Sequence, residues 1–418
     1  MKTVGIIVEY NPLHNGHAWQ IEQVKAAYGR DCAVIVAMSG HFTQRGEPAL
    51  LDKWARTRMA LACGASLVLE LPAIYATASA ERFASGGVQL LAATGVTKTL
   101  VFGSEHGQLP ALERLAEALA FESAAFKAAL AEELDLGQSF ASARQAALAR
   151  ILEHPEDAQL LDSSNNILAV EYLKANRRLP ARRRLQPVTF QRQGQAFTDE
   201  TITSSLPSAT AIRQAVREAR PSAAALLSRL KTAMPSAALA ILLETVQSGQ
   251  GLLLPEDFNL PVLSLLRTRT AEDLRDIPGM GEGLAQRLIA AARTAEGGTV
   301  AGLVEAASSR RLPRTRVQRA LCALLLNIRT TDYDTFDAAG GPAYLRVLGF
   351  DKNGRYLLKL MREKASLPII TRGSDFHEYG DQPILQQQAQ FDLAASDLWQ
   401  VAAAGKPGAD FDRAVVIR

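Results

Sequence analysis

Four short, almost wholly apolar segments constrain the fold of this chain more than any other feature. Each reads as a buried strand, and they cover residues 3–8, 32–38, 66–71 and 99–102. Helical periodicity separates them, over residues 16–28, 51–63 and 80–93. Buried strands that alternate with helices are typical of a parallel sheet covered on both faces. The first half is therefore predicted to be a Rossmann-like α/β domain, to which residues 187–190 add a fifth strand.

The pattern changes after about Arg220, beyond which no segment reads as a strand. Helical periodicity continues instead over residues 221–248, 261–269, 284–295, 315–328 and 343–364. We therefore expect two domains, an α/β domain over residues 1–217 and a mostly α-helical domain over residues 218–418.

The apolar segments and the cysteines also bear on the protein's location. No apolar stretch reaches the roughly 18 residues that a membrane-spanning helix needs. The cysteines, Cys32, Cys63 and Cys322, show neither metal-site nor disulfide spacing. A reducing, cytoplasmic setting without a membrane partner is the expectation.

Charge is nearly balanced overall but unevenly placed. Lys and Arg number 46 against 43 Asp and Glu, which excludes a uniformly basic nucleic-acid coat protein. Two stretches, residues 176–195 and 310–319, contain several arginines and no acid. Clusters of this kind suit a polyanion such as RNA, although solvated helix faces are an alternative.

The first strand runs into the most informative motif of the sequence. The strand ends at Glu9, and after Asn11-Pro12 the residues His14-Asn15-Gly16-His17 open a helix. A helix N-terminus at the carboxyl edge of such a sheet offers free N–H groups to phosphate. Two imidazoles on one helix face can also stabilise charge while an α-phosphate is attacked. The alternative is that two histidines lie near a turn by chance.

This motif resembles the signature of the HIGH-type nucleotidylyltransferases, and more closely that of the tRNA(Met) cytidine acetate ligases among them. Eight further segments carry the closer resemblance: MSGHFTQRGEPA at 38–49, DKWARTRMAL at 52–61, ELPAIYATASAERFA at 70–84, VFGSE at 101–105, SNNILAVEYLK at 164–174, SATAIR at 208–213, EGLAQRL at 282–288 and YLRVLGFDKNG at 344–354. The resemblance covers nearly the whole chain.

The resemblance implies residues for each role. Those implied to bind ATP are Ile7, Val8, Glu9, Tyr10, Asn11, Pro12, Leu13, His14, Asn15, Gly16, His17, Ala18, Trp19, Gln20, Gly103, Asn166, Arg192, Ser208 and Thr210. His14, His17 and Arg213 are the expected catalytic residues. Asn165 is the alternative to Asn166, because the sequence does not separate these neighbours. The arginines expected to contact tRNA or substrate are Arg45, Arg177, Arg178, Arg310, Arg311, Arg314, Arg316 and Arg319. No residue is assigned as a metal ligand.

The implied reaction uses ATP and acetate. Acetate would be activated as acetyladenylate and then transferred to the N4 amine of the wobble cytidine of elongator tRNA(Met). Mg²⁺ is expected to bridge phosphate oxygens while keeping most of its waters. Two alternatives stay open: an adenylyltransferase that joins AMP to a small metabolite, and a non-catalytic RNA-binding protein with a vestigial nucleotide site.

Two further segments need separate mention. Residues 276–291 have the glycine-rich pattern of a helix-hairpin-helix element, which contacts nucleic-acid phosphates, but a packed helical turn fits them equally well. At 194–199 the family commonly has Gly-x-Gly-Tyr-His-Asp, whereas this chain has Phe197-Thr198 in place of Tyr-His.

Overall fold

The computed structural model describes residues 1–193, 201–202, 204–220, 222–249, 251–294 and 296–418. Within them the chain forms one mixed sheet covered by helices. The strands are β1 (Thr3–Val8), β2 (Ala33–Ser39), β3 (Leu67–Leu71), β4 (Thr99–Ser104), β5 (Gln186–Gln191), β6 (Leu345–Phe350), β7 (Ile369–Ile370) and β8 (Val416–Ile417). The five strands predicted from apolar runs in the first half are thus confirmed.

Helices fill most of the remaining described residues. Those up to residue 219 are α1 (Asn15–Tyr28), α2 (Lys53–Ala62), α3 (Ala73–Ala76), α4 (Ala80–Ala93), α5 (Leu109–Ala120), α6 (Ala124–Asp135), α7 (Phe140–Ile151), α8 (Ser164–Arg178) and α9 (Ala209–Ala219). Those that follow are α10 (Ala223–Leu230), α11 (Ser236–Gln247), α12 (Asn259–Thr268), α13 (Leu284–Ala291), α14 (Val300–Ala307), α15 (Arg314–Leu325), α16 (Thr330–Ala338), α17 (Lys352–Lys364), α18 (Pro383–Ala402) and α19 (Ala409–Asp412). Short 3₁₀ segments lie at Pro155–Asp162, Ala181–Arg183, Pro255–Phe258 and Gly373–Tyr379.

The strand order is β5-β4-β1-β2-β3-β6-β7, with β8 also paired to β6. The first five strands are mutually parallel, and β6 joins β3 in the antiparallel direction. The central strands are buried along their whole length, as their continuous apolar sequence requires. This sheet brings the carboxyl ends of β1, β2 and β4 to one edge.

The expectation that no strand follows Arg220 is wrong. β6, β7 and β8 belong to the second half of the chain and extend the sheet of the first half beyond β3. Residues 343–364, predicted as one helix, instead form β6 followed by α17. The division into domains at residue 217 stays a prediction, but the two parts share one sheet.

A buried cluster of charges fastens the second half to the first. The Lys53 ammonium lies 2.8 Å from Glu70 at the end of β3 and 2.8 Å from Asp410 in α19. Arg346 of β6 contacts the same Asp410 carboxylate at 3.3 Å. All four side chains are almost completely buried, so each charge depends on its partners.

No helix among the described residues is long and apolar enough to cross a membrane.

Candidate active site

A cavity of about 360 Å³ opens at the carboxyl edge of the sheet, beside β1. The chain passes from β1 to β2 on one side, whereas β4 lies on the other, so the strand order reverses here. Open α/β sheets bind ligands at such a switch point. Ile7, Val8 and Glu9 line the cavity from β1, and Phe102 and Gly103 line it from β4.

Three long helices begin at this cavity and contribute residues to its lining. They are α1 with Gly16 and His17, α8 with Ser164 and Asn165, and α9 with Ala209 and its N-cap Ser208. The N-terminus of α8 already holds an anion, because the Glu105 carboxylate accepts hydrogen bonds from the backbone N–H groups of Asn165 and Asn166 at 3.3 and 2.8 Å. At the start of α1 the backbone N–H groups of Asn15 and Gly16 also have acceptors, the Ala233 carbonyl and Nδ1 of His14, both at 3.1 Å. The start of α9 is therefore the helix end that best suits phosphate.

The two histidines of the motif form a stacked pair whose outer nitrogens are donors. The backbone N–H of Gly16 donates to Nδ1 of His14 at 3.1 Å, and the backbone N–H of His14 donates to Nδ1 of His17 at 3.3 Å. The ring centroids are 3.8 Å apart. Since Nδ1 accepts in both rings, the proton of each neutral imidazole lies on Nε2. A Cβ on residue 16 would lie 2.9 Å from the His14 ring, so glycine is required there.

Electrostatics keep both rings neutral. Burial, together with the positive charges of Arg192 and Arg213, lowers the pKa of His14 to about 3. The pKa of His17 also lies well below its usual value, chiefly through burial and then through His14 and Arg192. At neutral pH the pair therefore offers N–H donors rather than cations.

Arg192 reaches the cavity across Gly103. Its Nη1 donates to Oδ1 of Asn165 at 3.1 Å, and a Cβ on residue 103 would lie 2.9 Å from its Cγ. The neighbouring Asn166 is buried and accepts through Oδ1 from the backbone N–H of His106 at 3.1 Å. The side chain that lines the cavity is that of Asn165. The assignment of Asn166 as the ATP-binding residue remains a prediction, and the geometry favours its alternative.

A second group of charges lies where β1 and β2 end. The backbone N–H of Gln44 donates to the Glu9 carboxylate at 2.7 Å, but burial outweighs this bond and raises the pKa of Glu9. Arg213 donates to the Asn11 carbonyl at 3.0 Å and lies 3.7 Å from the Glu47 carboxylate. It therefore holds the turn that precedes the two histidines.

The predicted ATP-binding and catalytic residues divide into two sets. The cavity lining contains Ile7, Val8, Glu9, Tyr10, Asn11, His14, Gly16, His17, Trp19, Gln20, Gly103, Arg192 and Ser208. Adjacent to it but outside its lining are Pro12, Leu13, Asn15, Ala18, Asn166, Thr210 and Arg213. Asn15 illustrates the second set, because its Nδ2 donates to the carbonyls of Ser205 and Thr232 at 2.8 Å and so fixes the start of α1.

The arginines assigned to tRNA also divide. Arg45 and Arg319 line the cavity, whereas Arg177, Arg178, Arg310, Arg311, Arg314 and Arg316 lie outside it. The two stretches lack acids along the sequence but not in space. Arg177 pairs with Glu117, Arg178 with Glu81, Arg314 with Glu305 and Arg316 with Glu282. Four of these arginines are thus paired with acids from other segments, and binding of tRNA by these side chains remains a prediction.

Sequence reasoning missed several residues of the lining. Phe83 and Tyr172 come from helices on one face of the sheet, and Thr315 comes from α15 in the second half. Phe83 and Tyr172 look like ordinary apolar helix positions, and only the packing of α4 and α8 reveals their place. The ELPAIYATASAERFA segment was the one available signal for Phe83.

The structure describes the hairpin segment at 276–291 but not the segment at 194–199. Residues 271–276 form turns rather than a first helix, α13 follows, and Gly279 and Gly283 lie exposed with positive φ values of 85° and 77°. Contact of this hairpin with nucleic acid remains a prediction. Residues 194–199, with Phe197-Thr198, lie outside the described residues.

Sheet order, cavity and histidine pair define a nucleotidyl transferase of the HIGH class, and the profile described as HIGH Nucleotidyl Transferase matches residues 1–411. Relatives extend this match over the full length. Proteins named tRNA(Met) cytidine acetate ligase from Acetivibrio thermocellus and Caldanaerobacter subterraneus are 41% and 37% identical, and the matches cover 100% and 96% of each chain. The crystal structure of Thermotoga maritima TmcAL in its apo form superposes with a TM-score of 0.92 at 32% identity, covering 100% of this chain and 99% of that one. The same protein bound with alpha-thio ATP gives a TM-score of 0.90. The chain belongs to the tRNA(Met) cytidine acetate ligase family of HIGH nucleotidyl transferases.

Proposed function

We propose that this protein is an ATP-dependent tRNA(Met) cytidine acetate ligase. The observation that carries the proposal is the neutral His14–His17 pair, which presents two Nε2–H donors to a cavity at the switch point of the sheet. The full-length similarity to proteins that carry this name supplies the substrates. A cytoplasmic location fits a tRNA substrate.

In the first step, a carboxylate oxygen of acetate attacks the α-phosphorus of ATP. The bond between that phosphorus and the bridging oxygen breaks, and pyrophosphate leaves with the electron pair. His14 and His17 donate to the phosphate oxygens on which charge develops, which lowers the barrier most where water is excluded. The N-terminus of α9 binds the remaining phosphate oxygens, and Arg213, which holds the Asn11 turn, stabilises the leaving group.

In the second step, the N4 amine of the wobble cytidine attacks the carbonyl carbon of acetyladenylate. The bond from that carbon to the AMP oxygen breaks, and the amine loses a proton to solvent. The site can recognise an unpaired anticodon base by stacking and by contacts to its edge. No covalent enzyme intermediate is needed.

Mg²⁺ is proposed to enter with ATP. The described residues contain no group of three His, Cys, Asp or Glu side chains that could hold a metal ion. Phosphate oxygens and waters would therefore supply most of its ligands, which is common for Mg²⁺ bound together with a nucleotide.

The direct test combines the protein with ATP, labelled acetate and elongator tRNA(Met), followed by nucleoside analysis. We expect labelled N4-acetylcytidine, free AMP and pyrophosphate. A product that retains AMP would support an adenylyltransferase instead, and tRNA binding without any turnover would support a non-catalytic protein.

A second test asks whether His14 and His17 are needed for the reaction. His14→Ala and His17→Ala should each slow acetate-dependent ATP–pyrophosphate exchange about 100-fold or more, because each loses a donor to the transition state. His154→Ala, which removes an exposed imidazole, is the control and should retain the wild-type rate. Wild-type exchange in both active-site variants would contradict the assigned roles.

A further inference from the structure

One wall of the cavity is not used by the groups assigned to the triphosphate. It consists of Arg45 from the loop after β2, Ala80 and Phe83 from the first turn of α4, and Thr315 and Arg319 from α15. We call these five residues the α15 wall. It is the part of the cavity to which the second half of the chain contributes.

Contacts between the three elements hold the α15 wall together. The Gln44 amide donates to the carbonyl of Ala78, just before α4, at 3.3 Å. Gly46, with φ at 76°, lies so close to α15 that an added Cβ would be 2.6 Å from the Gln318 carbonyl. The Gln318 amide also donates to Glu47 at 2.8 Å. These contacts therefore fix the positions of the β2 loop, α4 and α15 relative to one another.

Arg319 differs from the other arginines of α15. Arg314 and Arg316 form ion pairs with Glu305 and Glu282, whereas Arg319 has no hydrogen bond or ion pair to any residue that the structure describes. Burial lowers the pKa of Arg319, and the neighbouring charges of Arg45 and Arg316 lower it further. A half-buried guanidinium that faces a cavity without a counter-charge is suited to an anionic ligand.

The surroundings of Arg319 indicate which anion fits. The triphosphate is already assigned to the histidine pair and the start of α9. The same wall includes the methyl group of Ala80 and the ring of Phe83. A guanidinium next to a small apolar surface matches a short carboxylic acid, because the planar guanidinium can donate two parallel hydrogen bonds to a carboxylate.

We propose that Arg319 binds the carboxylate of the acyl substrate and that Ala80 and Phe83 contact its methyl group. This inference rests on the proposed ligase function and adds the subsite for acetate. The guanidinium reduces the repulsion between the carboxylate and the triphosphate, since both are negative when the carboxylate oxygen approaches the α-phosphorus. Arg319 is thus reassigned from tRNA backbone contact to the activation step.

Kinetics without tRNA test this assignment. Acetate-dependent ATP–pyrophosphate exchange is measured for the wild-type chain and for Arg319→Ala, Arg319→Lys and Arg275→Ala. Arg275, an exposed arginine paired with Glu272, is the matched control. We expect Arg319→Ala to raise the KM for acetate at least tenfold while the KM for ATP changes less than twofold. Arg319→Lys should have an intermediate effect, and Arg275→Ala none.

The outcomes separate this inference from the function on which it rests. Absence of exchange in the wild type would overturn the proposed function. Normal wild-type exchange with an unchanged KM for acetate in Arg319→Ala would overturn the subsite alone, as would a variant that raises only the KM for ATP. ATP binding by the variant, measured by calorimetry, confirms that it is folded.

The preference for acetate over propionate independently tests the proposed contact between Phe83 and the methyl group. Phe83→Ala would leave space beside the methyl group, so the ratio of kcat/KM for propionate to that for acetate should rise about tenfold. This ratio does not depend on the fraction of folded enzyme. An unchanged ratio would place the methyl group elsewhere and overturn the proposed wall.

Discussion

At the scale of single residues, the site depends on polar groups that burial keeps uncharged. The stacked imidazoles of His14 and His17 are neutral because their pKa values are lowered. The sequence predicts that these histidines face a ligand, because they follow β1 at a helix start. It does not predict their tautomers or charge, which depend on backbone donors and on Arg192, far away along the chain.

A third buried histidine makes stability depend on pH. His41 lies between Trp54 and Trp399, and neither ring nitrogen has a hydrogen-bond partner among the described residues. Burial, together with Lys53, Arg56 and Arg413, places its pKa well below the usual value. The unfolded chain therefore binds a proton that the folded chain does not, so stability is fully present above about pH 6.5 and declines as the pH falls.

We expect His41→Phe to reduce this dependence. The loss of unfolding free energy between pH 7.5 and pH 5 should shrink by up to about 2 kcal/mol relative to the wild type. Urea denaturation at the two pH values measures it. His154→Asn, at an exposed position, should leave the difference unchanged, and an unaltered difference in His41→Phe would contradict the explanation.

The adjacent asparagines should respond differently to the same substitution. Asn165→Ala removes the acceptor of Arg192 on the cavity wall and should weaken ATP binding about tenfold with little loss of stability. Asn166→Ala removes the buried partner of the His106 N–H and should cost about 1–3 kcal/mol of unfolding free energy. Calorimetry measures the affinity for ATP, and urea denaturation measures the free energy of unfolding of each variant. The reverse pattern would support Asn166 as the residue that binds ATP.

At the scale of elements, apolar runs predict β1 to β4 well because both faces of these strands are largely buried. The same criterion fails for β6, because its short apolar sequence LRVLGF runs almost directly into the amphipathic α17 and the two read together as one helical segment. β7 and β8 have two residues each, too few for any periodic signal. The α15 wall was equally unpredictable, because it depends on the docking of elements far apart in the chain.

The contact between the β2 loop and α15 can be tested with two glycines. Gly46 and Gly29 both have positive φ values, 76° and 96°, but a Cβ on residue 29 would meet nothing within 4 Å. Each change to alanine carries a backbone cost of about 1–3 kcal/mol. Gly46→Ala should cost about 1–3 kcal/mol more, because it pushes α15 away.

Exchange assays complete this comparison. Gly46→Ala should also lose acetate-dependent exchange, since Arg319 moves with α15, whereas Gly29→Ala should retain it. Equal stability and equal activity in the two variants would show that the loop and α15 do not need their close approach.

At the scale of the whole molecule, one sheet unites both halves of the chain, and the buried Lys53–Glu70–Asp410 group lies where they meet. Removing one member of such a group leaves a buried charge without its partner. The near-zero net charge gives no indication of this arrangement, because it sums over paired and unpaired side chains alike.

Asp410→Ala should therefore cost about 3–5 kcal/mol of unfolding free energy. Unfolding should remain a single transition, because the shared sheet couples the halves. Asp412→Ala, in the same short helix but exposed, is the control and should cost less than about 0.5 kcal/mol. Thermal and urea denaturation measure both, and a second transition in the wild type would indicate that the halves unfold independently.

The antiparallel pairing of β6 with β3 has a consequence for folding of the protein during its synthesis. While the chain is being translated, β1 to β5 emerge first, and β3 stays an open edge with unpaired N–H and C=O groups until residue 350 has left the ribosome. Such an apolar edge can pair with another nascent chain. We therefore expect the β3 edge to be a site of aggregation during synthesis until β6 pairs with it.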